Sequence, residues 1–182
     1  MFKPWPKTPR LENETYHITE KIDGTNACII IQPYLYEKEQ DCIWTDMEHS
    51  VYAQSRTKLI KPSDDNYGFA NWAQRKAEQL IKDLGVGYHF GEWWGQGIQR
   101  NYGLTEKRFS LFNPTKQSSI CHNVPLLMSL NEEHYQNTDW KDALYAEFQE
   151  FGSVASPGFM KPEGLVVYAE KAKAYWKVIF DK

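Results

Sequence analysis

Cys28, Ile29, Ile30 and Ile31 form an unbroken, β-prone apolar run. A strand without polar alternation is well buried, so this run demands a covered sheet. Further segments read as strands by composition and flanking turn formers. They are Thr15 to Glu20 and Ala27 to Ile31, on either side of an Asp23-Gly24 turn, then Cys42 to Trp44, Ser50 to Ser55, Val86 to Gly91, Arg108 to Phe112, Val124 to Ser129, Gly164 to Tyr168 and Tyr175 to Phe180. Lys61 to Asn66 is rich in turn formers and reads as a loop.

Two helices interrupt the strands. Phe69, Trp72, Ala73, Ala77, Leu80, Ile81 and Leu84 recur at helical spacing, with charged and amide side chains opposite and Gly85 placed to end the helix. A second helix spans Trp140 to Phe151, with Thr138 or Asp139 as N-cap and Gly152 just past its end. Many strands, short turns and two inserted helices indicate an α+β domain with largely antiparallel sheets. With 182 residues and no repeat or linker, the expectation is a single domain over 1–182.

A net charge of −3 excludes a generally basic nucleic-acid binder. Nucleic acid would have to meet a local basic face, with modest and salt-sensitive affinity. The 7 Trp and 11 Tyr supply ample surface for packing or base stacking. Cys28, Cys42 and Cys121 are odd in number, widely spaced and without a CxxC pair. That argues against a disulfide framework and a zinc site, and fits a reducing, cytoplasmic setting. Met1 to Pro6 lacks the apolar run of a signal peptide, and no segment reaches membrane-spanning length.

The chemistry centres on Glu20-Lys21-Ile22-Asp23-Gly24-Thr25-Asn26. The run reads either as a surface strand closing on an Asp-Gly turn or as a strand-end amine beside a carboxylate, suited to attack an activated phosphorus. Four later segments bear on the choice: Ser55-Arg56-Thr57; Phe90-Gly91-Glu92 followed by Gly95-Gln96-Gly97; Glu163 directly before the apolar Gly164 to Tyr168; and Lys177 inside Tyr175-Trp176-Lys177-Val178-Ile179. A carboxylate among Gly and Trp is odd for packing, and glycines there let backbone approach a ligand. A lone Lys in a strand is by itself an edge or snorkelling residue.

In this order, the five segments resemble the ordered motifs of the covalent nucleotidyltransferases, the superfamily of DNA ligases, RNA ligases and mRNA capping enzymes. Within it, Thr19 to Asn26 and the Phe90-Gly91-Glu92 region are most similar to the nick-sealing RNA ligases of phages and RNA-editing systems. The resemblance covers Tyr16 to Phe180. It implies an ATP-grasp-like nucleotidyltransferase domain, with two largely antiparallel sheets, the nucleotide between them and helices outside.

It also implies roles. Lys21 would attack the α-phosphorus of ATP to give lysyl-AMP. Lys177 would contact the α-phosphate, and Glu163 would bind Mg²⁺ or Mn²⁺. Glu92 and Arg56 would contact the ribose, or Arg56 a phosphate. Phe112 would stack on adenine, Glu20 would help read the adenine edge, and Asp23 would act beside the lysine, orienting metal-bound water. RNA ends or a nicked duplex would be the substrate.

Three departures bear on this. Asp23 stands where the RNA-ligase branch usually has His, which keeps a minimal DNA ligase as an alternative. Asn26 is no departure: it stands where capping enzymes and DNA ligases usually have Arg, and so favours the RNA-ligase branch. The last motif lacks its second lysine, since Lys177 is followed by Val178 and Ile179, while Lys171 and Lys173 fall in the preceding turn. The chain also ends at Lys182, so the expectation is an adenylation domain without a C-terminal accessory domain. A partner protein would then supply the clamp, and a nucleotide- or end-binding module without sealing activity is a further alternative. A phage-encoded protein acting in the host cytoplasm fits the same resemblance.

Overall fold

The computed structural model describes residues 13–35 and 40–180. Met1 to Pro6 and the final Lys182 lie outside the described residues. In chain order the elements are β1 (Thr15–Lys21), β2 (Thr25–Pro33), β3 (Trp44–Thr45), β4 (His49–Ser55), β5 (Leu59–Ile60), α1 (Phe69–Arg75), α2 (Ala77–Leu84), β6 (Gly87–Gly95), β7 (Lys107–Leu111), β8 (His122–Asn123), β9 (Leu126–Asn131), α3 (Glu132–Asn137), α4 (Trp140–Phe151), β10 (Gly164–Ala169) and β11 (Ala174–Ile179).

These strands make two sheets. One runs β11-β10-β1-β9 and is antiparallel throughout. The other runs β3-β4-β2-β6-β7-β8, with β5 paired to β4; only its β7–β8 pair is parallel. The α+β expectation and the largely antiparallel sheets both hold.

The Asp23-Gly24 turn does not close a hairpin. β1 and β2 belong to different sheets, and Ile22 to Gly24 carries the chain between them. Gly24 is required there by packing. A Cβ on it would sit 2.5 Å from the Trp93 carbonyl oxygen and 2.7 Å from Trp94 Cβ. The crossing is therefore pressed against β6 at its Trp-rich end.

Each sheet covers one face with helix. Ala27, Ile29, Ile31, Val51, Ala53, Trp93, Phe109 and Leu111 pack against Phe69, Ala73, Ala77 and Leu80 of α1 and α2. Tyr16, Ile18, Leu165 and Val167 pack against Trp140, Leu144 and Phe148 of α4. A small cluster of Ile22, Trp94, Tyr102 and Val124 sits at the chain crossing. The β2 run is covered on its second face as well, where Cys28 and Ile30 meet Tyr52.

The helix expected over Phe69 to Leu84 is broken at Lys76, whose φ of −107° and ψ of 7° lie outside the helical range. Its N–H is shared between the Trp72 and Ala73 carbonyls, at 3.1 and 3.2 Å, so the break tightens the chain without splitting the apolar face. α4 has Asp139 and Gly152 at its caps as expected, but the Asp139 side chain makes no capping hydrogen bond. The short α3 was not apparent from periodicity. It is set by Asn131, whose side chain accepts from the His134 N–H at 2.8 Å. No helix among the described residues is long and apolar enough to cross a membrane.

Burial pushes the Cys28 thiol up to about 12 and the Cys121 thiol to about 11. Both should resist a thiol reagent at pH 8 in the folded protein and react once it is denatured. Fast modification of Cys28 in the native state, read by mass spectrometry, would contradict this placement.

Candidate functional site

Strand alternation sets the side of β1 on which each side chain lies. Tyr16, Ile18 and Glu20 are buried, and Lys21 falls on the opposite face. There Lys21 Nζ donates to Glu163 Oε2 at 2.5 Å, with the two side chains only 24% and 16% exposed. Glu163 directly precedes β10, whose Gly164 pairs with Lys21 on one side and Ile179 on the other. The Glu163 carbonyl also accepts from the Phe180 N–H at 3.0 Å. The carboxylate is thus placed by backbone pairing on both flanks.

The second sheet supplies Glu92, which stands on β6 opposite Asn26 of β2. Its Oε1 accepts from the Gly24 N–H at 3.0 Å and so ties β6 to the chain crossing. Burial pushes the Glu92 carboxyl up to about 7; the charge of Lys21 and the Gly24 N–H pull against this, while Glu163 and Asp23 add to it. Asp23 Oδ2 accepts from Arg100 Nε at 2.9 Å, and its N–H donates to the Tyr102 hydroxyl at 2.8 Å. Lys21, Asp23, Glu92 and Glu163 therefore form one electrostatic cluster at the junction of the sheets.

Folding lifts Glu92 from the ordinary 4.5 to about 7. Between those values the folded protein holds a proton that the unfolded chain has released. Stability from this group is present below about pH 4.5 and is lost as pH rises through 7. Glu92→Gln should remove that decline, measured by chemical denaturation between pH 5 and 8. An unchanged pH slope would show that the carboxyl titrates normally.

The other expected site residues lie as follows. Lys177 is exposed in the middle of β11, opposite Val166, and alternation puts it on the same sheet face as Lys21. Arg56 is exposed in the turn following β4, just past the Ala27–Ser55 pair. Phe112 follows β7, is 40% exposed, and donates its N–H to the Phe90 carbonyl at 2.9 Å. Glu20 is turned away from the cluster. It is 1% exposed, and its carboxylate accepts from Ser153 Oγ at 2.5 Å and from the Ala155 N–H at 2.8 Å. A side chain so engaged is a brace between β1 and the 153–156 segment, and its carboxylate does not reach toward Lys21.

Arg100 and Tyr102 are the neighbours that sequence reading passed over. Gln99, Asn101 and Tyr102 all have positive φ, at 43°, 61° and 51°. Three non-glycine residues in that region mark a strained segment. The strain delivers Arg100 to Asp23 and to the Lys161 carbonyl, the latter at 3.1 Å from Nη1. Tyr102 in turn accepts from Ser156 Oγ at its carbonyl, at 2.8 Å, so the 97–103 and 153–163 segments are fastened together behind Lys21.

Among the described residues no group of three or more His, Cys, Asp or Glu side chains is arranged to hold a metal ion. The donor set nonetheless fits Mg²⁺ or Mn²⁺. Glu163 offers a hard carboxylate oxygen, and Mg²⁺ is commonly held by one or two carboxylates together with substrate phosphates and water. A surface hollow of about 470 Å³ bounded by Trp44, Gln74 and Lys82 lies on the helix side and contains none of these residues.

This architecture has solved counterparts. An apo mutant of Naegleria gruberi RNA ligase superposes with a TM-score of 0.58 at 19% identity, covering 92% of this chain and 50% of that one. A mutant of the same ligase with ATP and Mn gives 0.60 at 19%, covering 91% and 49%. A further mutant with AMP and Mn gives 0.56 at 17%, again covering 91% and 49%. The chain spans about half the length of these ligases, and at such identity the likeness speaks for the fold. No curated protein sequence matches significantly. The RNA ligase family profile, however, matches residues 14–179, which takes in every strand and helix described above. This chain belongs to the RNA ligase family.

Proposed function

We propose that this chain is an ATP-dependent RNA ligase that works through a lysyl-AMP intermediate on Lys21. The observation that carries this reading is the Lys21 amine held 2.5 Å from Glu163, with Glu92 and Asp23 at the same mouth. A strand-end amine fixed by a carboxylate from a neighbouring strand is held in place to meet a bound nucleotide. The Naegleria ligase structures with ATP and Mn support the choice of nucleotide and metal class.

In the first step the free amine of Lys21 forms a bond to the α-phosphorus of ATP. The bond to pyrophosphate breaks, and the amine loses its proton to solvent. In the second, an RNA 5′-phosphate oxygen attacks the same phosphorus, the phosphorus–nitrogen bond breaks and Lys21 regains a proton. In the third, a 3′-hydroxyl oxygen attacks the activated 5′-phosphate and gives its proton to solvent, while the phosphoanhydride bond breaks and AMP leaves.

The protein's part is positioning and charge stabilisation. Lys177 offers the cation for the α-phosphate, on the sheet face it shares with Lys21. Arg56 and Glu92 offer polar contacts to ribose, and exposed Phe112 offers a ring face to adenine. Asp23, held by Arg100, keeps its place two residues beyond the nucleophile. Glu163 would hold Mg²⁺ or Mn²⁺, which when bound supplies charge neutralisation on the phosphates.

The test is incubation with α-labelled ATP and Mg²⁺ or Mn²⁺, followed by denaturing electrophoresis. Label is expected on the protein, and transfer to a 5′-phosphorylated RNA strand is expected on chasing with RNA. No adduct with either metal across pH 6 to 9 would sink the enzyme reading. An adduct that is never passed to RNA would leave adenylation standing and remove RNA joining.

A further inference from the structure

We propose that the Tyr175 edge of the four-stranded sheet binds an unpaired base of single-stranded RNA, next to the phosphate handled by Lys177; this rests on the RNA-joining reading above. The site is a stack of rings that ends in the open. His17 of β1, Tyr168 of β10 and Tyr175 of β11 lie side by side across three paired strands. His17 and Tyr168 have ring centroids 6.3 Å apart at an interplanar angle of 22°. Tyr168 and Tyr175 are closer, at 4.6 Å and 26°. Tyr175 is the last ring, on the strand at the sheet edge, and is 69% exposed. One of its faces is covered by Tyr168, so its exposure lies on the other side, where a nucleobase would continue the stack.

The stack is held in place from both ends. His17 Nδ1 lies 2.8 Å from Ser129 Oγ, and its Nε2 lies 3.5 Å from the Glu170 carboxylate. The turn that leads into β11 is tied down by the buried Glu14, which accepts the Lys171 and Ala172 N–H groups at 2.8 Å each. The acidic Glu170 thus sits at the His17 end, away from the exposed ring.

The charge at the open end is of the other sign. Lys173 closes the turn two residues before Tyr175, and Lys177 follows two residues after it on the same strand face. At about 3.3 Å per residue, Lys177 is roughly 7 Å along the strand from the ring, and Lys173 lies in the adjoining turn. An aromatic ring bracketed by two cations is the pairing that binds single strands, with bases on the ring and phosphates on the lysines. A duplex hides its base faces, so this geometry selects an unpaired nucleotide. With a net charge of −3 over the chain, a local basic and aromatic strip of this kind is suited to attract RNA.

The experiment is fluorescence anisotropy with a labelled, 5′-phosphorylated oligouridylate, alongside a blunt RNA duplex. Tyr175→Ala is expected to weaken oligouridylate binding about tenfold, Tyr175→Trp to restore it, and duplex binding to stay unchanged. Lys173→Ala, a second and independent variant, is expected to lower the salt slope of oligouridylate binding by about one unit or less. Unchanged oligouridylate affinity in Tyr175→Ala, or an equal loss on duplex, overturns the proposal. So does a matching drop in labelling with ATP, since the ring would then belong to the ATP pocket. If the wild type forms no adduct while Tyr175→Ala still weakens oligouridylate binding, the ligase reading fails and the stacking site stands.

Discussion

Lys21→Ala is expected to abolish covalent nucleotide transfer while leaving the fold in place. The reacting atom itself is deleted, so no residual pathway through the same bond remains, and labelling should fall by about a thousandfold or more. The fold should survive because Lys21 lies at the end of β1 on its half-open face, outside the packed clusters. Glu163 loses its partner but is still 16% exposed at its side chain and can take up water. Lys21→Arg should be as inactive, since a guanidinium stays protonated and cannot act as the nucleophile. The check pairs a denaturing gel after incubation with α-labelled ATP with a circular-dichroism melt. Label that persists in a folded Lys21→Ala protein would move the nucleophile elsewhere, with Lys161 and Lys177 the first lysines to test.

The second large effect is on stability. Gly164→Ala is expected to destabilise the protein by about 3 kcal/mol, with a fall in melting temperature of roughly 6–12 °C for a domain of this size. A Cβ at Gly164 would collide with the Val178 carbonyl oxygen and lie 3.0 Å from the Val178 carbonyl carbon and Ile179 Cα. All of these are backbone atoms. The strand cannot simply slide away, because Gly164 is paired with Lys21 on one side and Ile179 on the other. Any shift also carries Glu163 off the Lys21 amine, so labelling by ATP should fall along with stability. A Gly164→Ala protein that melts within about 2 °C of the wild type would show that the hairpin relaxes more cheaply than its geometry indicates.

The residues gathered at the sheet junction were legible because they break local rules. Lys21 at a strand end, Glu92 between glycines and tryptophans, and Glu163 ahead of an apolar strand have no packing reason to be there. The side on which Glu20 lies is equally visible in the sequence. Tyr16, Ile18 and Glu20 alternate, so Glu20 had to share the covered face and not that of Lys21. Gly24 misled differently. Beside Asp23 it reads as hairpin punctuation, yet it is needed for close approach to Trp93, a long-range contact that no local pattern reveals.

Arg100 and Tyr102 were hidden because left-handed backbone at Gln99, Asn101 and Tyr102 occurs without glycine. The tertiary bonds to Asp23 and Ser156 hold it there. The α3 signal, Asn131 followed by two glutamates, was present but too short to stand out by periodicity.

The partners at the sheet junction are far apart along the chain. Lys21 and Glu163 are separated by 142 residues, and Glu20 and Ser153 by 133. Contacts of that span form late, because the intervening loop must close before they return any stabilisation. During synthesis Lys21 therefore emerges long before the carboxylate that fixes it. A nascent or clipped chain lacking β10 and β11 carries the lysine without its clamp, so under the proposed chemistry nucleotide charging would report that these two strands are in place.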